Sequence, residues 1–516
     1  MPIRLLVPTA FFAALVMGCA THTPQAKVNE ARALAEARLG QRPAWDVGWD
    51  ESPPEWTTQT VLTVDEAVAL ALRNNRMLRA DLEMIGQADA DLLQASLMQN
   101  PMVSLMVMFP DGGGRSMLRG NGVPIQPLQD LWLIPARKEV AAAELRQAVL
   151  RVADRAIETA AQVRTVYAKL RYAQRAIDLI RDNMQLADQA VRVVEARQAA
   201  GQATQVALNL ARIREMNLRS ELVLMAAEYR DMQRELLLLT GFAAAADGWR
   251  VTPVHELQDP LAPPEDEPAL VALGLEQRLD LKAAEWSVQA AERRIALEQR
   301  AGWPDVSLGL TFERSPAPSA PRGPTLGSLA GNAAAQTAAD RVWGVPAMPK
   351  SPMVAPWQPK MRELKWTVGP MLDVEVPLFD QNQAQVAKAR HEYNQKLAAY
   401  EGRQQETTRD IRAAVNRQRA AYDQVQLYRA TILPEVTRNL ELAQQAFVAG
   451  QEDLTVYLLV EEDVIMTRQK TLGFLRDYYL SAVELERAVG GRGGAPPAAA
   501  TQPAAPAPRE PSNNQD

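Results

Sequence analysis

Residues 136–199 read ARKEVAAAELRQAVLRVADRAIETAAQVRTVYAKLRYAQRAIDLIRDNMQLADQAVRVVEARQA. Apolar side chains recur along this stretch at alternating intervals of four and three. The series is Leu145, Val149, Val152, Ala156, Thr159, Val163, Val166, Leu170, Ala173, Ile177, Ile180, Met184, Ala187, Val191, Val194, with Thr159 its one polar member. A seven-residue repeat held for this long keeps one seam on one side of an α-helix and supercoils it against its partners. At 1.5 Å per residue the segment is about 95 Å long, too long for a compact globule. Ala and Val fill much of the seam, so neighbouring helices pack closely. Gly201 is predicted to end the helix in a tight reversal. A second helix then returns through Leu208, Leu210, Ile213 and Leu218 to Thr240-Gly241.

The surrounding sequence occurs twice. Asn75-Arg76-Met77-Leu78-Arg79-Ala80 is answered by Arg278-Leu279-Asp280-Leu281-Lys282-Ala283. Pro101-Met102-Val103-Ser104-Leu105 is answered by Pro304-Asp305-Val306-Ser307-Leu308, and Ala200-Gly201-Gln202 by Ala449-Gly450-Gln451. Each copy reads as helix, strand, loop, strand, long helix, turn, helix. The copies occupy residues 62–241 and 267–488, with a connector over 242–266. The first helix is predicted to start at Thr63, whose hydroxyl forms a capping box with Glu66, and to run to about Gln99 before Asn100-Pro101 stops it. In the second copy Pro434 is predicted to kink the long helix.

The strands alternate with period two. Val306, Leu308, Leu310 and Phe312 share a face opposite Ser307, Gly309 and Thr311. Trp366, Val368, Leu372, Val374 and Val376 lie opposite Thr367, Gly369, Asp373 and Glu375. In a membrane barrel these faces meet lipid and lumen; a half-buried strand of a soluble sheet gives the same pattern. A Pro-, Ala- and Gly-rich insertion over 313–365 separates the two strands of the second copy. It is expected to be an extracellular loop.

The chain has 516 residues and a net charge of −6, so no basic field points to nucleic acid. Arg4, the apolar run Leu5–Val16 and the small residue before Cys19 read as an export signal over 1–18. Cys19 follows the apolar core as in a bacterial lipobox, where it is acylated; an ordinary signal peptide with a chance cysteine is the alternative. Cys19 is the only cysteine and so has no disulfide partner. Residues 19–61 read as an irregular N-terminal arm and 489–516 as a disordered tail.

Several motifs resemble the TolC-type outer membrane efflux family. They are Leu62-Thr63-Val64-Asp65-Glu66-Ala67 through Asn75, the junction Val376-Pro377-Leu378-Phe379-Asp380, and Ile432-Leu433-Pro434 followed by Ala446-Phe447-Val448-Ala449-Gly450 and Leu454. The resemblance spans residues 60–488. It implies a mainly helical chain whose coiled-coil hairpins build a periplasmic α-barrel. It also implies four strands per chain contributing to a trimeric twelve-stranded barrel, since four strands cannot close one alone. The implied function is a passive exit duct in outer-membrane lipid, serving a tripartite efflux or type I secretion system. Its partners are two further copies in a homotrimer, a periplasmic adaptor and an inner-membrane pump. The rival reading is a structural envelope strut with no pore.

The resemblance also implies that the hairpin ends around Ala200, Gly201, Gln202, Ala449, Gly450 and Gln451 meet the adaptor. The family's constriction acids fall at Val456 and Leu459 in this sequence, while Glu452 and Asp453 lie nearer the turn. Two readings stand for that acidic pair: a ring of carboxylates that favours cations, or charge placed at a helix N-terminus. No cofactor or catalysis is expected. His22, His255 and His391 lack ligand spacing, and Asp111-Gly112-Gly113-Gly114 lacks the Lys-Ser/Thr of a phosphate loop. Met102, Met106, Met108 and Met117 could suit Cu(I) or simply fill gaps and face lipid.

Overall fold

The structure is a computed structural model that describes residues 24–45, 61–100, 102, 104–108, 117–242, 250–251, 260, 262–316 and 364–491. Two compact units emerge. A helical unit draws on 1–95, 138–295 and 387–516, and a sheet unit on 96–137 and 296–386. No described helix is long and apolar enough to cross a membrane. The signal, Cys19, the glycine run, most of the 313–365 insertion and nearly all of the tail lie outside the described residues.

The helical unit opens with α1 (Gln25–Leu39), in the arm that composition alone reads as irregular. Its stop signal is Gly40, at φ +68°. A two-residue strand β1 (Val61–Leu62) follows, and Tyr167 donates to the Leu62 carbonyl at 2.8 Å. β1 pairs in parallel with β4 (Arg250–Val251), in the connector between the copies.

The expected first helix is two helices. α2 (Val64–Asn74) carries the capping box: Glu66 N–H donates to the Thr63 hydroxyl and Thr63 N–H donates to the Glu66 carboxylate. The chain leaves helical geometry at Asn75 (ψ 118°) and resumes as α3 (Arg76–Ser96). Asn75 makes the break cheap. Its Oδ1 accepts from the N–H groups of Met77 and Leu78, and its Nδ2 donates to the Leu239 carbonyl. The side chain thus satisfies donors that a new helix start leaves orphaned. The second copy breaks at the equivalent place, between α6 (Glu267–Gln277) and α7 (Leu279–Ala301), with Arg278 at ψ 125°. There Arg278 donates to both oxygens of Asp280, at 2.9 and 2.7 Å.

α4 (Asp130–Ala199) is the long helix, and α5 (Gln205–Thr240) is its return. Of the seam residues only Met184 is half-exposed; the rest are buried. Thr159 is tolerated there because its hydroxyl donates to the Arg155 carbonyl one turn back, at 2.8 Å. Each fully buried Val, Leu or Ile contributes about 1.5–3 kcal/mol, so the seam dominates the stability of this unit.

In the second copy α8 (Gln383–Leu427) passes through a π-helical turn, Tyr428–Ile432, into α9 (Leu433–Val448). Pro434 sits in the first turn of α9, where its missing N–H costs least. The wider turn just before it accommodates the ring that would otherwise clash with the preceding turn. α10 (Leu454–Val489) returns.

The sheet unit holds four antiparallel strands in the order β2 (Leu105–Met108), β3 (Met117–Pro127), β5 (Asp305–Pro316), β6 (Leu364–Glu375). The β5–β6 register sets like against like. Val306 faces Val374, Leu308 faces Leu372 and Phe312 faces Val368, while Ser307 faces Asp373 and Asp305 faces Glu375. The alternation in the sequence therefore becomes one apolar and one polar face. Leu105, Val107, Leu308, Leu310, Val368, Leu372 and Val374 are all exposed, so the described residues leave much of the apolar face open at these positions.

Candidate functional site: the hairpin ends

Both hairpins reverse through the same motif. At the first, Gln202 N–H donates to the Arg197 carbonyl (2.8 Å) and Gly201 N–H to Gln198 (2.9 Å). At the second, Gln451 N–H donates to Ala446 (2.9 Å) and Gly450 N–H to Phe447 (3.1 Å). This is a Schellman cap in each copy, and it needs a left-handed residue: Gly201 has φ +71° and Gly450 φ +72°. A Cβ added to either glycine meets no atom within 4 Å. The cost of substitution is therefore backbone strain alone. Gly201→Ala and Gly450→Ala should each destabilise the helical unit by about 1 kcal/mol, and Gly450→Asn by less, because Asn tolerates this region. Chemical denaturation followed by far-UV circular dichroism checks this; equal losses for Ala and Asn would refute it.

The two hairpins are clasped to each other near these turns. Arg197 of α4 donates to the Phe447 carbonyl of α9 at 2.9 Å, and its guanidinium lies 3.8 Å from the Phe447 ring centroid. Tyr457 of α10 stacks on that ring at 5.3 Å with a 12° interplanar angle. A turn along α5, Arg214 donates to the Leu458 carbonyl at 2.6 Å and stands 3.6 Å from Glu462. Ala190, Val191, Val194, Leu208, Ala211, Phe447 and Leu458 form the small core beneath.

Ala200, Gly201, Gln202, Ala449, Gly450 and Gln451 all sit at these ends; each is exposed apart from its backbone bonds. Glu452 and Asp453 are exposed, as are Val456 and Leu459. Asp453 starts α10: its carbonyl accepts from the N–H groups of Val456 and Tyr457, and its carboxylate accepts from the Thr455 hydroxyl at 3.0 Å. A carboxylate there complements the helix dipole. Met102 and Met106 are exposed.

Sequence reasoning missed Glu461. On α10, buried Leu458, Ile465, Leu472 and Leu475 mark one seam, and Glu461 occupies a position in it at 1% exposure. Neither carboxylate oxygen has a hydrogen-bond partner among the described residues. Burial pushes its pKa up, with Arg214 pulling the other way. The signal was present: extending the four-three spacing back from Leu472 and Ile465 lands on a glutamate.

Residues 270–491, the bulk of the second copy, match the outer membrane efflux protein family. The cobalt-zinc-cadmium resistance protein CzcC of Cupriavidus metallidurans is 21% identical over 431 residues, 83% of this chain and 90% of that protein. Among solved structures, CusC superposes with a TM-score of 0.65 at 19% identity, covering 88% of this chain and 98% of its own. VceC of Vibrio cholerae superposes at 0.62 and 16% identity, covering 83% and 96%. The open state of the MtrE outer membrane channel of Neisseria gonorrhoeae superposes at 0.61 and 16% identity, covering 83% and 89%. The matched copy carries the same helix break, strand pairing and capped hairpin as the copy before it, so the similarity to the outer membrane efflux protein family over 270–491 falls on an architecture that both copies share.

Proposed function

We propose that this chain is one subunit of a homotrimeric outer-membrane exit duct, passive in itself and coupled to a periplasmic adaptor and an inner-membrane pump. The observation that carries the reading is the bare apolar face of the sheet unit. A four-stranded sheet has two free edges, and strands β2 and β6 occupy them. Unpaired edges and an uncovered apolar face are both costly in water. Lipid covers the face, and edge-to-edge joining of three copies removes the edges and encloses a water-filled path lined by the polar face. Trp303 and Phe379, 56% and 93% exposed, flank β5 and β6, where amphipathic and aromatic side chains suit a membrane interface.

The helical unit supports the same assembly. α5 uses Leu208, Ala211 and Leu218 for packing within the chain, while Val206, Leu210, Ile213 and Leu224 form a second stripe that stays exposed. Helical spacing makes this stripe a seam for a neighbouring subunit. The capped hairpin ends are the docking points for the adaptor, and acylated Cys19 anchors the chain to outer-membrane lipid. A strut without a pore needs no alternating strands, so the sheet unit argues against that rival.

Purified full-length protein should run as a trimer in detergent and conduct ions in planar bilayers. A monomer that stays silent overturns the reading.

A further inference from the structure

Glu461 stands apart from every other acid of the helical unit described so far. It sits in an apolar seam, fully buried, with both oxygens unpartnered among the described residues. A seam position with Leu458 and Ile465 on either side wants an apolar side chain, and a buried polar group without a hydrogen bond costs stability. Such a group is retained at a cost, and its position is telling. Leu458, one turn before it, is the residue whose carbonyl Arg214 holds from the first hairpin.

The charges around it are few. From α5, Arg214 acts on it; from its own helix the Tyr457 hydroxyl faces it, raised by burial and by Glu461. Glu462 points to solvent, at 55% side-chain exposure. On α9 Arg438 and Glu441 are exposed, and on α4 Asp182 is exposed and Asp188 pairs with Arg192. Among the described residues Arg214 is the cation placed to answer a charge on Glu461, and one of its N–H groups already holds the Leu458 carbonyl that joins the hairpins.

We propose that Glu461 is a proton-operated latch on the contact between the two hairpins. The neutral carboxyl fits the closed packing. The charged form strands a carboxylate in an apolar seam, so ionisation favours the arrangement in which α10 parts from α5 and water reaches Glu461. The proton goes to water, and no other bond changes.

The direction follows from linkage. Burial raises the closed-state pKa above the ordinary glutamate value. Closed packing is therefore fully favoured below that ordinary value, and the advantage is lost as pH rises through the raised one. Between the two values the ratio of closed to released forms falls about tenfold per pH unit. The latch rests on reading the hairpin ends as the periplasmic mouth of the duct.

Two measurements on the full-length protein between pH 5 and pH 8 test it: conductance in planar bilayers, and the distance between spin labels at Gln202→Cys and Gln451→Cys, both exposed at the hairpin ends. Wild type should conduct more, and the labels should separate, as pH rises. Glu461→Gln should hold both at their pH 5 values throughout. Glu461→Leu, which fills the seam without a titrating group, should do the same and serves if the glutamine variant misfolds. A wild-type label distance that ignores pH, or a Glu461→Gln protein that keeps the wild-type response, overturns the latch. Wild type silent at every pH overturns the duct instead, while the label distances still decide the latch.

Discussion

Glu486→Ala should lower the melting temperature of the helical unit by on the order of 10 °C, from a loss of about 3–5 kcal/mol. Glu486 of α10 meets Arg164 of α4 at 3.2 Å, with side chains 10% and 8% exposed. The pair ties the long helix of the first copy to the return helix of the second. Burial is what makes the effect large. Removing the carboxylate takes the opposite charge away from a guanidinium that sits in a low-dielectric site. The neighbouring pair Arg487–Glu158, at 3.4 Å, has side chains 57% and 29% exposed. Water screens it, and Arg487→Ala should cost under about 1 kcal/mol. Replacing both buried partners, Arg164→Leu with Glu486→Leu, should recover most of the loss, because neither charge is then stranded. Thermal unfolding by circular dichroism reads all four proteins. A Glu486→Ala loss no larger than that of Arg487→Ala would show the buried pair to be dispensable.

The parts of the fold legible in the sequence were those governed by period. A seam of fifty residues leaves no doubt about its helix, because every turn repeats the statement, and the strands of the second copy alternate cleanly enough to fix their faces. The Ala-Gly-Gln pairs marked the hairpin caps because only glycine adopts the required φ without strain. The breaks at Asn75 and Arg278 were hidden for the opposite reason. Neither residue is a helix breaker by type, and the apolar pattern runs through both. What stops the helix is a specific set of side-chain bonds, Asn75 to Met77, Leu78 and Leu239, that depends on α5 being nearby. The duplicated motif flagged both places without revealing their meaning. α1 was missed because its amphipathicity is weak; Gly40 was its one clear signal. In the candidate site, the turns were readable from glycine, whereas the clasp of Arg197 and Arg214 joins helices about 250 residues apart in sequence and no local pattern reports it.

The largest effect belongs to the sheet unit. Leu310→Arg should abolish stable insertion of the trimer into membranes, while Thr311→Arg, one residue on, should insert and conduct. Leu310 lies midway along β5, opposite Pro370 of β6, on the face that carries Leu308, Leu372 and Val368. It is 37% exposed in the chain. If lipid is the cover, an arginine at mid-depth costs about 2–4 kcal/mol per strand. In the proposed trimer that cost falls three times in one barrel, roughly 6–12 kcal/mol, comparable to the whole stability of an ordinary domain. Thr311 pairs with Gly369 and sits on the opposite face, with its hydroxyl 3.3 Å from the Gly369 carbonyl. An arginine there projects into water, so insertion is spared. Three added positive charges in the path should instead shift selectivity toward anions. Membrane fractionation and bilayer recordings separate the outcomes. If both variants insert equally, the two faces are not lipid and lumen, and the sheet belongs to a soluble domain. If only Leu310→Arg fails, a one-residue step across the pleat has divided bilayer from pore, which no soluble sheet and no solid strut can do.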